Sequence, residues 1–130
     1  MLQYFRINQE KIMVNKIILI GNLGQDPEAP KKTQTGKSVM DISIATQRRG
    51  QETTDWHTVT CWGNTADAVY KYLKKGRQVY VEGRLQYDTW EDDEGRTRKK
   101  AKVVADSVQF LGRKEDSVSG MQNNSDGIPF

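Results

Sequence analysis

The sequence predicts an all-β fold: a five-stranded Greek-key barrel with one helix between the third and fourth strands, followed by a disordered C-terminal tail. Three observations predict it. Residues 37–46 and 55–63 alternate between two faces with a period of two, as half-buried strands do. One amphipathic segment, residues 64–75, separates three short strand-like runs from two long ones. After Arg113 the periodicity stops, and Ser, Asn, Gly and Asp dominate.

Each element has its own justification. Residues 1–12 have no clean period, and Met13 reads like a second start, so this stretch is expected to be a mobile extension. Residues 14–23 form the first strand, with Ile17, Ile18, Leu19 and Ile20 in a row. Both of its faces are apolar, yet a small barrel has only one inside. The outward residues, Ile18 and Ile20 or their neighbours, therefore need another surface, and a subunit partner is the simplest. Gly21 and Gly24 suggest a bend or bulge and then an exit. Pro27 and Pro30 hold an extended loop. In the second strand, Met40, Ile42 and Ile44 share the inner face. A polar loop with Arg48, Arg49 and Gly50 leads into the third.

The third strand puts His57, Val59 and Cys61 on one face and Trp56, Thr58, Thr60 and Trp62 on the other. Asn64 is expected to cap the helix, with Asp67 in its first turn. Ala66, Val69, Tyr70 and Leu73 form its apolar stripe. Lys74 and Lys75 suit its C-terminal end, and Gly76 stops it. Residues 78–90 form a long strand with Val79, Val81 and Leu85 inward. Tyr80, Arg84, Gln86 and Trp90 share the other parity unless Gly83 introduces a bulge. Residues 91–95 are an acidic turn, and residues 99–112 return. The domain thus spans residues 13–112, with a tail at residues 113–130. This order of elements is that of the OB-fold, which commonly binds oligonucleotides or oligosaccharides.

Composition narrows the function. The chain has 130 residues, 35% of them hydrophobic, so its core is lean. Twenty Lys and Arg against 17 Asp and Glu give a net charge of +3, too mild to prove a polyanion partner by itself. The lone Cys61 excludes an internal disulfide and fits a reducing compartment. No apolar run reaches membrane-spanning length, and the N-terminus lacks a secretory signal, so a soluble intracellular protein is expected.

Catalytic readings fail on spacing. Gly36-Lys37-Ser38 imitates the end of a phosphate-binding loop, but Lys31 stands where that loop needs glycine, and a strand follows where it needs a helix. Gly21-Asn22-Leu23-Gly24 is too short for a dinucleotide fingerprint. Asp92, Asp93 and Glu94 read as a solvated hairpin tip. One His and one Cys cannot build a zinc site without several carboxylates. His57 and Cys61 share a face but lie about 13 Å apart on a strand, too far for a nucleophile pair. No enzyme, metal or cofactor is expected.

Binding is the better reading. Trp56, Trp62 and Trp90 are flat rings on adjoining strands, and any nucleobase can stack on an indole for about 1–3 kcal/mol. The competing reading has Trp56 and Trp62 capping the core from its rim. Lys16, Lys37, Arg48, Arg49, Arg84, Arg96, Arg98 and Lys100 are the candidate phosphate contacts. Rings with cations suit single strands, whose bases are free to stack. On the residues alone two other classes stay open. One is an OB-fold accessory module whose main work is protein contact. The other is an oligosaccharide-binding OB domain, which would use the aromatics but not the cations.

The motifs resemble those of the bacterial-type single-stranded DNA-binding protein family. Val14-Asn15-Lys16 and the stretch from Ile20-Gly21-Asn22-Leu23-Gly24 to Glu28 look like its opening strand. Asp55-Trp56-His57 looks like its central tryptophan motif. Tyr72-Leu73-Lys74-Lys75-Gly76 and Val79-Tyr80-Val81-Glu82-Gly83 look like its helix end and fourth strand. Trp90 matches a stacking tryptophan, and Trp62 takes the place of a stacking aromatic. Ile128-Pro129-Phe130, with Asp126 before it, matches a partner-docking tip. The resemblance implies a homotetramer that single-stranded DNA wraps without sequence preference, with His57 near a subunit contact. It implies a cytoplasmic, nucleoid-associated bacterial protein whose tail recruits replication and repair enzymes.

Overall fold

A computed structural model of the chain describes residues 12–112. The N-terminal extension, the tail and its tip (Asp126, Ile128, Pro129 and Phe130) lie outside the described residues. The elements run β1 (Ile17–Leu23), β2 (Lys31–Lys32), β3 (Ser38–Gln47), β4 (Thr54–Trp62), α1 (Gly63–Tyr72), β5 (Gln78–Glu91) and β6 (Thr97–Phe110). Five are the expected strands. The sixth, β2, is a two-residue ladder in which Lys31 and Lys32 pair with Val39 and Ser38.

The sheet order is β1-β5-β6-β4-β3-β2, and a further β1–β3 pairing closes it into a barrel. All pairings are antiparallel except β4 with β6. Alternation decides the inside. Met40, Ile42 and Ile44 of β3, Val59 and Cys61 of β4, Val79 and Val81 of β5 and Val103 of β6 are buried together. Ala66, Val69 and Leu73 add the inner side of the helical segment. Burying each branched aliphatic side chain contributes about 1.5–3 kcal/mol relative to leaving it exposed. Ile17 and Leu19 pack against this core, while Ile18 and Ile20 point out and keep 56% and 54% of their surface. Asn15 extends that edge, since its side-chain amide exchanges two 2.8 Å hydrogen bonds with the backbone of Leu85.

Two glycines sit where the barrel walls meet. β1 runs through Gly21 without the expected bulge, and a Cβ there would lie 2.4 Å from the carbonyl oxygen of Ala45. The β1–β3 seam closes across that gap. At Gly83 the register does shift: Glu82 pairs with Ser107, but Gly83 pairs with Ala105. The extra residue, Asp106, is therefore on β6. The alternation of β5 is unbroken, so Arg84, Gln86 and Trp90 keep one face.

The helix departs from expectation at both ends. It begins at Gly63, whose φ of +60° lets β4 turn straight into it. Trp62 occupies the cap position and makes no side-chain capping bond. Asn64 therefore lies within the helix, and the first turn contains no acid. Asp67 instead accepts a 2.8 Å hydrogen bond from the Ser38 hydroxyl. At the other end Leu73 is already extended. The Lys75 N–H goes to Asp26 Oδ1 at 2.8 Å and the Gly76 N–H to the Leu23 carbonyl at 2.8 Å. These bonds to the exit of β1 replace a last helical turn.

Cys61 is fully buried, and burial, aided by the Asp41 charge, pushes its thiol up to about 12. The unfolded chain loses this proton at the ordinary thiol value while the native chain keeps it. The stabilising contribution is thus complete below that value and is lost as pH rises from there toward about 12, by at most about 1.4 kcal/mol per pH unit. A Cys61→Ala variant is expected to show a shallower alkaline loss of stability in urea titrations. A thiol reagent near neutral pH should label the unfolded chain at once and the native chain slowly.

Candidate nucleic-acid interface

The outer face is the complement of the core alternation. Along β4 it carries Trp56, Thr58, Thr60 and Trp62, opposite Ala45, Ser43, Asp41 and Val39 of β3. Parallel pairing sets Thr60 against Val104 of β6, and Val104 pairs with Arg84 of β5. The same face continues through Gln86 opposite Lys102, Asp88 opposite Lys100 and Trp90 opposite Arg98. The register thus brings all three tryptophans to one surface. They keep 61%, 40% and 48% of their area for Trp56, Trp62 and Trp90, so none is a core residue.

Trp56 has a specific seat. A Cβ on Gly24 would lie 2.4 Å from its Cζ3, so the indole rests on the bare backbone of Gly24. Gly24→Ala is expected to displace the ring, shift tryptophan emission and leave the barrel folded. An unchanged emission spectrum would show that the ring is not held there. Thr60 contributes no free hydroxyl proton, because it is buried and donates to Asp41 Oδ1 at 2.6 Å.

The candidate phosphate contacts divide in two. Lys37, Arg49, Arg84 and Lys100 are exposed and form no ion pair among the described residues. Arg84 and Lys100 share the tryptophan face, while Arg49 lies in the β3–β4 loop. Lys37 lies beside the β4–helix junction, with its Cε 3.9 Å from where a Cβ of Gly63 would be. The other four are paired. Arg48 donates two 3.1 Å hydrogen bonds to Asp55 and holds that carboxyl below the usual carboxylate range. Arg96 and Arg98 reach Asp92 at the tip of the β5–β6 hairpin. Asp92 Oδ1 also accepts the N–H groups of Glu94 and Arg96 at 2.9 Å. The Arg96 N–H is the main reason its carboxyl lies below the usual range, and this carboxylate fastens the tip. Lys16 pairs with Glu82, away from the tryptophans and beside Ile18.

That second region forms a patch of its own on β1 and β5. Ile18 lies opposite Glu82 and Ile20 opposite Tyr80, whose hydroxyl donates to Glu82 at 3.1 Å. His57, the fourth residue of β4, is half-buried, with Nε2 2.8 Å from the Thr46 hydroxyl. No group of three or more His, Cys, Asp and Glu among the described residues is arranged to hold a metal. No helix among them is long and apolar enough to cross a membrane.

The seat at Gly24 left no signal in the sequence, because only the fold brings it to Trp56. Tyr87 also departs from its pattern, since its inward parity suggests burial, yet it keeps 55% of its surface.

The model of the single-strand binding protein family matches residues 14–111, which contain the barrel, its hairpin and all three tryptophans. The chain belongs to that family. Among related proteins, single-stranded DNA-binding protein 1 of Chlorobaculum tepidum (strain TLS) is 43% identical over 120 residues, covering 86% of this chain and 73% of that protein. The single-stranded DNA-binding protein of Xylella fastidiosa (strain Temecula1) is 40% identical over 110 residues, 79% of this chain and 66% of its own length. In Xylella fastidiosa (strain 9a5c) single-stranded DNA-binding protein 1 is 38% identical over 125 residues, 89% of this chain and 91% of its own. In this member of the single-strand binding family, the matched region is the part whose outer face gathers rings and unpaired cations.

Proposed function

We propose that this chain binds single-stranded DNA without sequence preference and shields it passively from re-pairing and nucleases. The observation that carries the reading is the placement of Trp56, Trp62 and Trp90 on one exposed face with Arg84 and Lys100 among them. Indoles accept any base, and unpaired cations neutralise phosphates. An oligosaccharide site would have no need of those cations. Duplex DNA hides its base faces and should bind far more weakly. Filter binding with poly-dT, duplex DNA and a neutral glycan separates the classes: poly-dT alone should be retained. Retention of the glycan, or of neither DNA, contradicts the reading.

The same reading extends to assembly and context. Ile18 and Ile20 expose more than half their surface on an ordered strand, which favours burial against further copies, with His57 nearby, in a homotetramer. Light scattering showing a monomer at micromolar concentration contradicts this. In a bacterial cytoplasm, at the nucleoid, such a protein would serve replication, recombination and repair. Asp126, Ile128, Pro129 and Phe130 would dock partner enzymes. Pro129 limits the backbone freedom lost on docking, and Ile128 and Phe130 offer apolar side chains on either side of it.

A further inference from the structure

We propose that Tyr87 and Lys99 form a second base-stacking site on the face of the β5–β6 hairpin opposite Trp90, so that one DNA strand crosses the hairpin edge and is held on both faces. The inference rests on the single-strand reading above.

Beyond the barrel wall, residues 87–91 of β5 and 97–101 of β6 are exposed at every position, whichever way they point. The hairpin is therefore a bare two-stranded arm. Such a ribbon is marginal alone in water. One face presents Trp90, Arg98 and Lys100. The other presents Tyr87 opposite Ala101 and Thr89 opposite Lys99. Ala101 is too small to cover the phenol ring, which keeps 55% of its surface. Lys99 reaches across diagonally and places its ammonium 5.1 Å from the ring centroid. The ammonium lies over one side of the ring, and more than half of the tyrosine's surface stays available to a base.

Two features favour a nucleic acid strand as the occupant. The run Arg98-Lys99-Lys100 presents cations alternately to both faces; Arg98 is held by Asp92 and Asp88 by Lys102, which leaves Lys100 on one face and Lys99 on the other to meet a phosphate backbone crossing the edge. The ring also lies close to the Trp90 surface in the chain, since both belong to β5, three residues apart and on opposite faces of the same ribbon. Glu91, opposite Thr97, repels phosphate nearer the tip and confines the crossing to the Tyr87 end.

The test compares wild type, Tyr87→Ala and Tyr87→Phe, with all tryptophans retained as the readout. Each is titrated with a short oligo-dT, of about 8 nucleotides so that one OB-fold surface spans it, and with long poly-dT. Circular dichroism confirms the fold. Tyr87→Ala should bind the short oligonucleotide as wild type does. It should bind poly-dT at least about five-fold more weakly and cover fewer nucleotides per chain, while Tyr87→Phe behaves as wild type. If Tyr87→Ala binds poly-dT as tightly as wild type, the second site does not exist. Equal weakening of both ligands also excludes the site, since the ring then acts only by supporting the arm. If wild type fails to bind the short oligonucleotide at all, the single-strand reading itself is at fault.

Discussion

Replacing Trp62 or Trp90 with alanine is expected to weaken oligo-dT binding by about 1–3 kcal/mol each while leaving the barrel folded. At 1.4 kcal/mol per tenfold, this is a loss of roughly 5- to 150-fold in affinity. The expectation follows from position. Trp62 ends β4 and Trp90 stands on the hairpin arm, both on the outer parity and 40% and 48% exposed. Neither belongs to the buried cluster around Val59, Cys61, Val79 and Val81. Truncating such exposed side chains usually changes stability by no more than about 0.5 kcal/mol. Oligo-dT titration beside urea denaturation separates the two effects. Unfolding of either variant would show that its indole caps the core after all. Trp56 should behave differently, because its ring rests on Gly24, and truncation there also uncovers that backbone.

Gly83→Val is expected to be the most damaging single change to the barrel. A Cβ at Gly83 would lie 2.1 Å from the Val104 carbonyl oxygen and 2.9 Å from its carbonyl carbon. Those are backbone atoms, so no side-chain rotation relieves the clash. They also stand at the register shift where Asp106 is accommodated, and where β5 leaves β1 to continue as the arm. Forcing atoms into a packed wall costs about 1–3 kcal/mol and more where the backbone itself must move. Urea denaturation of Gly83→Val measures it. A midpoint equal to that of wild type would show that the β5–β6 wall yields easily. By contrast, alanine at Gly36, where no atom lies within 4 Å, meets only the strain of a φ of +87°.

What was legible in the sequence was what alternation controls. Met40, Ile42 and Ile44 face Val59 and Cys61 because a period of two has only one buried solution. That part of the run Ile17 to Ile20 must face out was readable for the same reason, since four apolar residues in a row cannot all point into a small barrel; the structure puts Ile18 and Ile20 outside. What was not legible depends on partners far away in the chain. The helix stops at Tyr72 because Lys75 and Gly76 bond to Asp26 and Leu23 across the fold. Asp67 serves Ser38 of β3 and not the helix terminus. Gly83 signalled an irregularity, but only the pairing shows that β6 carries the extra residue. The candidate phosphate contacts were readable as residue types. Their division was not, because Lys16 finds Glu82 and Arg98 finds Asp92 through strand pairing and turn geometry.

The most direct test of the single-strand reading is a tryptophan fluorescence titration of the full chain with oligo-dT and with duplex DNA of equal length, repeated at rising salt. The exposed indoles predict strong quenching by oligo-dT. The unpaired cations predict an affinity that falls with salt, with a slope of about −0.7 for each phosphate neutralised. Duplex DNA should quench far less and bind far more weakly. Equal affinity for the two ligands, or binding of oligo-dT without quenching, would contradict single-strand binding through these rings.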